Sequence, residues 1–297
     1  MTGHLIHIGY AKSGSTFLQN WFAQHPQLAY ARGGIAGLHN VHSMARAAAS
    51  QRSRPLYRVT SSEELATPHT SAGQTDVNYG EMQRNSMASA QTEVCESLCA
   101  LFPNAYILIV TRGFRSMILS SYSQFVRTGG DESLAWVCAE AERQEPWNYD
   151  FLIGLYRKAF GDSNVIILPY ELLREDAGAF LGEITKRLGL ANIGVPPGRP
   201  NPSLSPIELV WYPRLTRRVR SLPLGAWGRR KAWQLYVEAA LSNRLRAPIA
   251  LLQRLRPIPP LTDAPLTPER MNGFRGFATS LRDEPLYRAY ARDYLFD

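Results

Sequence analysis

The first ordered pattern in the chain is His4 to Gly9, HLIHIG, which alternates apolar and polar positions and predicts a β-strand that ends at a glycine. Thr16 to Gln24 then places Phe17, Leu18, Trp21 and Phe22 near one face at helical spacing. The opening therefore reads as strand, glycine-containing loop, helix. Residues 31 to 80 are polar and poorly periodic apart from a short extended piece, Tyr57-Arg58-Val59-Thr60, which runs into Ser61-Ser62-Glu63-Glu64. A helix is predicted over residues 82 to 101, stopped by Pro103. The apolar run Ala105 to Val110 has the length and β-branched content of a buried parallel strand, and it leads into Thr111-Arg112-Gly113. Helical pattern follows over Arg115 to Val126 and again over residues 131 to 160. Asn164 to Leu168 reads as another buried strand. After it, Pro169-Tyr170-Glu171 opens a helix that continues through Ile184 and Leu188 and closes at Gly189.

Strands that alternate with helices over 190 residues predict an α/β fold, a P-loop-like parallel β-sheet flanked by helices. Ligands of such sheets sit at the carboxyl ends of the strands. Three informative stretches fall there: Lys12 to Thr16, Ser61 to Glu64, and Arg112 to Ser120. Beyond Leu190 the alternation stops, and Pro196, Pro197, Pro200 and Pro202 mark a linker or crossing loop. The expected organisation is a core over residues 1–204 and a mostly helical extension over 205–297, packed on the core and contributing to the acceptor side.

Composition narrows this picture. With 297 residues, 45% of them hydrophobic and 20% charged, the chain can bury a sizeable core. No apolar run approaches the ~18 residues of a membrane span. The start, MTGHLIHIGY, is too short and too quickly structured for a signal peptide, so a cytoplasmic location is expected. Three cysteines, Cys95, Cys99 and Cys138, have no zinc-like spacing and read as reduced core thiols. The net charge of +8 is regional. Residues 205 to 260 hold ten arginines and Lys231 against Glu208 and Glu238, a net of +9, whereas the rest of the chain nets −1. That distribution, with no recognisable nucleic-acid module, argues against a nucleic-acid partner.

The chemistry begins at HIGYAKSGSTFLQ. A turn rich in Gly and Ser ahead of a helix lets backbone N–H groups converge on an anion. Ser13, Gly14, Ser15 and Thr16 supply such donors together with three hydroxyls, and Lys12 stands beside them as a mobile point charge. The ordinary nucleotide loop has its lysine after the second glycine. Here Lys12 precedes Gly14, and the strand YILIV ends in Thr-Arg rather than in an aspartate that holds magnesium. A nucleotide-dependent kinase is thus a weaker enzyme reading. In the second stretch, Arg112 offers a planar fork for phosphate oxygens at a strand end, and Ser120 follows eight residues later on the next helix.

Taken together, these motifs resemble those of the sulfotransferase family, the enzymes that use 3′-phosphoadenosine 5′-phosphosulfate (PAPS). YAKSGSTF is similar to the family's 5′-phosphosulfate loop, P-K-[ST]-G-[ST]-[TS], with Ala11 in the usual proline place. Arg112 and Ser120 match its R-x(7)-S element for the 3′-phosphate, and VIILPYELLREDAGAFLGEITKRLGL resembles its strand, Tyr-Glu-x-Leu and helix ending in Leu-Gly. The resemblance covers roughly residues 4 to 190 and has a bacterial form. It implies PAPS as donor and no metal, Lys12 as stabiliser of charge at the bridging oxygen, Ser13 to Thr16 around the 5′ end, and Arg112 with Ser120 on the 3′-phosphate. The acceptor is expected to be a hydroxyl, or an amine, of a carbohydrate, lipid or small metabolite.

Such a transfer gains from a general base. Glu63 in RVTSSEEL resembles the glutamate of carbohydrate-type members, with Glu64 as its neighbour, and His39 and His42 as alternatives; the two glutamates also suit the start of a helix capped by Ser61 or Ser62. Glu171 reads as structural, orienting a loop or capping its helix, and Arg199 to Ser203 as a loop that passes over the nucleotide. Residues 206 to 256 mix arginines with Trp211, Trp227, Trp233 and leucines. They read either as solvated surface helices or as a surface for anionic membrane or an acidic acceptor. A non-catalytic membrane-surface adaptor with a relic nucleotide pocket is the reading from outside enzymology.

Overall fold

A computed structural model of the chain describes residues 2–30, 55–68, 86–197 and 203–296. Five parallel strands form one sheet in the order β2-β3-β1-β4-β5: β1 Gly3–Gly9, β2 Leu28–Tyr30, β3 Tyr57–Ser61, β4 Tyr106–Thr111 and β5 Val165–Pro169. β1 is central and pairs with β3 from Gly3↔Tyr57 to His7↔Ser61, and with β4 from Leu5↔Tyr106 to Gly9↔Ile109, with a register shift between His7 and Gly9. From β1 the chain fills one flank of the sheet with β2 and β3, then the other with β4 and β5. The order reverses beside β1, so the crevice for ligands opens at the ends of β3, β1 and β4.

The strands are buried on both faces, as the apolar runs predict. On one face Leu5, Val59, Leu108, Val110, Ile166 and Leu168 pack with α1 (Ser15–Gln24) and with Phe180, Leu181, Ile184 and Leu188. The cysteines behave as core thiols: α2 (Met87–Leu101) lies against Tyr149–Phe160, with Cys95 and Cys99 donating to the carbonyls of Leu155 and Ala159. Burial pushes the Cys95 thiol up to about 12.

Elsewhere two of the predicted helical stretches are each divided in two. Helix α3 is Phe114–Arg127, and the single helical stretch expected over 131 to 160 is two helices, α4 (Leu134–Gln144) and α5 (Tyr149–Phe160). The reason is local: Glu145 takes a left-handed φ of 51°, Pro146 follows, and the Asn148 side chain accepts from the Phe151 N–H to start a new helix. The helix after β5 is likewise divided into α6 (Tyr170–Glu175) and α7 (Ala177–Leu188), because Asp176 caps α7 by accepting from the Ala179 N–H. Gly189 closes α7 at φ 63°. Towards the C-terminus stand α8 (Pro206–Arg220), α9 (Ala226–Leu241), α10 (Arg246–Leu255) and the single turn α11 (Pro268–Met271).

The chain forms two compact units that do not follow one another in sequence: residues 1–114, 144–200 and 273–297 make the sheet unit, and residues 115–143 and 201–272 make the helical unit. Within the helical unit, Ser205 and Glu208 form a reciprocal cap at the start of α8, and Glu208 also accepts from Arg246 Nε at 3.1 Å. The Tyr236 hydroxyl bonds to Thr216 Oγ1 at 2.8 Å. Among the described residues no helix is long and apolar enough to cross a membrane.

Candidate functional site

The lysine loop runs from the end of β1 to the start of α1. Lys12 and Gly14 both take left-handed conformations, φ 66° and 87°. Gly14 is favoured by its left-handed φ, and Leu173 packs so close that a Cβ at position 14 would meet its Cδ2 at 2.4 Å and displace it. Gly14 is also the N-cap of α1, so no side chain caps that helix, and its first turn carries no acid. The positive end of α1 is thus left for an external anion. Ser13 is fully buried, and its hydroxyl has no hydrogen-bond partner among the described residues. An orphaned hydroxyl beside an uncapped helix start suits an anion whose oxygens can accept from both.

Arg112 reaches this loop across 100 residues of sequence: its Nη1 donates to the Lys12 carbonyl at 2.5 Å. The guanidinium lies over the Tyr170 ring, 4.5 Å from its centroid. Burial lowers its pKa from the usual arginine value, opposed by Tyr170 and Glu171. The Arg112 main chain is clamped by the Tyr149 hydroxyl, which donates to the Arg112 carbonyl at 2.6 Å and accepts from its N–H at 3.3 Å.

Helix α6 serves both stretches. Leu173 packs on Gly14, Tyr170 sits under Arg112, and Glu171 accepts from the Gly113 N–H at 3.0 Å. Glu171 is 1% exposed, and burial raises its carboxyl pKa. Its other oxygen accepts from the Tyr294 hydroxyl at 3.0 Å, and Tyr287 and Tyr294 both bond to the Thr111 hydroxyl, at 2.7 and 2.9 Å. Asp293 closes on the same turn. Its carbonyl accepts from the Phe114 N–H at 2.9 Å, and its side chain stands where a Cβ on Gly113 would be.

Glu63 begins a short 3₁₀ turn, Glu63–Leu65, immediately after β3, with Ser62 as its N-cap but without a side-chain capping bond. This turn docks on β1: Ser62 and Ala66 donate to the carbonyls of His7 and Ile8. Gly9 has φ 127°, and a Cβ there would come within 3.1 Å of the Glu63 carbonyl oxygen. The Glu63 backbone therefore abuts the first residue of the lysine loop; its side chain is half-buried, and that of Glu64 is exposed. Ser120 lies on α3 in the helical unit, whereas Arg112 belongs to the sheet unit. His39, His42 and most of the Arg199–Ser203 stretch lie outside the described residues.

On α6 the sequence marked Tyr170, Glu171 and Leu173 as a Tyr-Glu-x-Leu element and Glu171 as the orienter of a loop, whereas the tyrosines of residues 287–294 were not singled out. Only the dense aromatic spacing of YRAYARDYLF marked the latter.

The sequence matches the model of the sulfotransferase family over residues 5–193. No curated protein matches it. Among solved structures, a sulfotransferase from Alicyclobacillus acidocaldarius is 17% identical with a TM-score of 0.48, over 76% of this chain and 99% of that one. A mouse sulfotransferase complexed with PAP is 15% identical with a TM-score of 0.37, over 75% of this chain and 67% of that one. With the family's model spanning the sheet, the lysine loop, Arg112 and α7, this chain belongs to the sulfotransferase family.

Proposed function

We propose that the protein transfers a sulfuryl group from PAPS to a hydroxyl, or an amine, of a carbohydrate, lipid or small-metabolite acceptor. The observation that carries this reading is the lysine loop: an uncapped helix start, a buried hydroxyl without a partner among the described residues, and the arginine of the second motif bonded to the lysine's own carbonyl. PAPS supplies the sulfuryl group, and the bond from its bridging oxygen to sulfur breaks as the acceptor's oxygen or nitrogen bonds to sulfur in line. Ser13 to Thr16 hold the 5′ end. Lys12 neutralises charge that grows on the bridging oxygen. Glu63 takes the acceptor's proton. Arg112 and Ser120 hold the 3′-phosphate. The chain's own cations carry the developing charge here, so no metal is assigned a role.

Calorimetric titration with adenosine 3′,5′-bisphosphate and with adenosine 5′-monophosphate tests the donor site. The bisphosphate should bind more tightly, and Arg112→Ala should weaken it about 10-fold or more while leaving the monophosphate nearly unchanged. Equal loss for both ligands would make Arg112 a brace for the loop rather than a 3′-phosphate ligand. Failure of the bisphosphate to bind would remove PAPS as the donor.

A further inference from the structure

Helix α9 has 16 residues but buries only Tyr236 and Ala240. Its approach is apolar and open to solvent. The turn between α8 and α9 carries Leu222 and Leu224, and Trp227, one residue into the helix, is 81% exposed. The turn is ordered by its own backbone, with Leu222 and Leu224 donating to the carbonyls of Val219 and Leu222. Directly after Trp227 come Arg229, Arg230 and Lys231, all exposed and none with an acidic partner among the described residues. The only acid on α9, Glu238, is spent on Arg244 at 3.5 Å.

Beside this turn is a cavity of about 460 Å³ lined by Val219, Arg220, Arg229, Arg230 and Trp233. One of its arginines is already committed. Arg220 pairs with Asp131 at 2.7 Å, donates to the Gly129 carbonyl at 3.0 Å, and lies over the Trp233 ring, 5.0 Å from its centroid. Arg220 and Trp233 are therefore a fixed wall, and Arg229 and Arg230 bring the uncompensated charge.

We propose that this face of the helical unit docks on an anionic phospholipid surface. Leu222, Leu224 and Trp227 enter the boundary between headgroups and acyl chains, and Arg229 and Arg230 receive a lipid phosphate at the cavity. The pairing of features decides the occupant. A soluble polyanion would satisfy the arginines and leave Trp227 in water, and an apolar partner would leave the arginines unpaired. An anionic bilayer meets both at once. The residues involved are distinct from those assigned to donor chemistry.

Co-sedimentation of the full chain with vesicles tests this. Vesicles containing phosphatidylglycerol should bring the protein down, and vesicles of phosphatidylcholine alone should not. Replacing both Arg229 and Arg230 with alanine should lower partitioning about 30-fold, and Trp227→Ala about 10-fold. Leu101→Ala, at an exposed leucine of the sheet unit, should leave it unchanged, as should Lys12→Ala. Quenching by brominated lipid that is lost in Trp227→Phe would show that this tryptophan enters the bilayer. The proposal fails if anionic vesicles do not bind, if Trp227→Ala binds like the parent, or if the chain self-associates and shields Trp227 with no lipid present.

Discussion

Lys12 follows β1 and Glu63 follows the neighbouring β3, and Gly9 is the residue that lets the Glu63 backbone approach the end of β1. Under the proposed roles, Lys12→Ala should lower kcat by about 10²–10³-fold through lost charge stabilisation. Glu63→Gln should lower it by about 10²-fold. Initial rates with labelled donor and a sulfated product resolved by chromatography would measure both. A normal rate in Glu63→Gln would move the base to Glu64, His39 or His42. At this scale, residues with special chemistry at strand ends were readable from sequence: a lysine before a glycine in a turn, and an arginine after an apolar strand. Tyr170 and Leu173 were matched as the ends of a Tyr-Glu-x-Leu element, but what they do there was not readable. Their work, lying under Arg112 and against Gly14, exists only once β5 is beside β4.

At the scale of elements, β4 and β5 follow their apolar runs, β1 its alternation and β3 its short extended piece, whereas β2, with three residues, is too short to carry a pattern. The two divided helices show what periodicity omits. A 3.6-residue repeat continues through Glu145 and Asp176, but a left-handed residue or a capping side chain restarts the hydrogen-bond ladder there. The segment that crosses the end of β4 is held by hydroxyls rather than by a helix. Tyr294→Phe removes its bonds to Thr111 and Glu171 and leaves a buried carboxylate short of a donor. The expected cost is about 1–3 kcal/mol, read from urea denaturation, with Leu173→Ala as a comparison for simple loss of packing. The Glu171 bond to Gly113 should then show faster amide exchange at Gly113.

For the whole molecule, the uneven charge was legible because it depends on composition alone, but the division into units was not. Residues 115–143 and 201–272 join across a stretch of the sheet unit, which no local pattern records. Global stability should also carry a pH signature from the centre of the sheet. Burial holds His7 down at about 4, well below its usual 6.5, and its Nε2 has no partner among the described residues. The unfolded chain therefore takes up a proton first as pH falls. Stability is full above about pH 6.5 and declines until about pH 4, and His4 acts in the same direction. His7 alone should cost about 2 kcal/mol between pH 7 and pH 5. Denaturation across that range should show the slope reduced by about one proton in His7→Gln; an unchanged slope would mean that His7 is charged in the fold.

The tyrosines that close the end of β4 carry one more consequence, for the order in which a ribosome delivers this fold. All five strands and the lysine loop have emerged by residue 169, yet the hydroxyls that meet Thr111 and Glu171 arrive only with Tyr287 and Tyr294. From about residue 190, where α7 completes the hydrophobic interior, until those tyrosines arrive, the nascent sheet lacks the polar seal at its ligand-facing end. A product truncated after the family-matched region would keep the anion loop in sequence and lose the scaffold that sets Arg112 and Gly113.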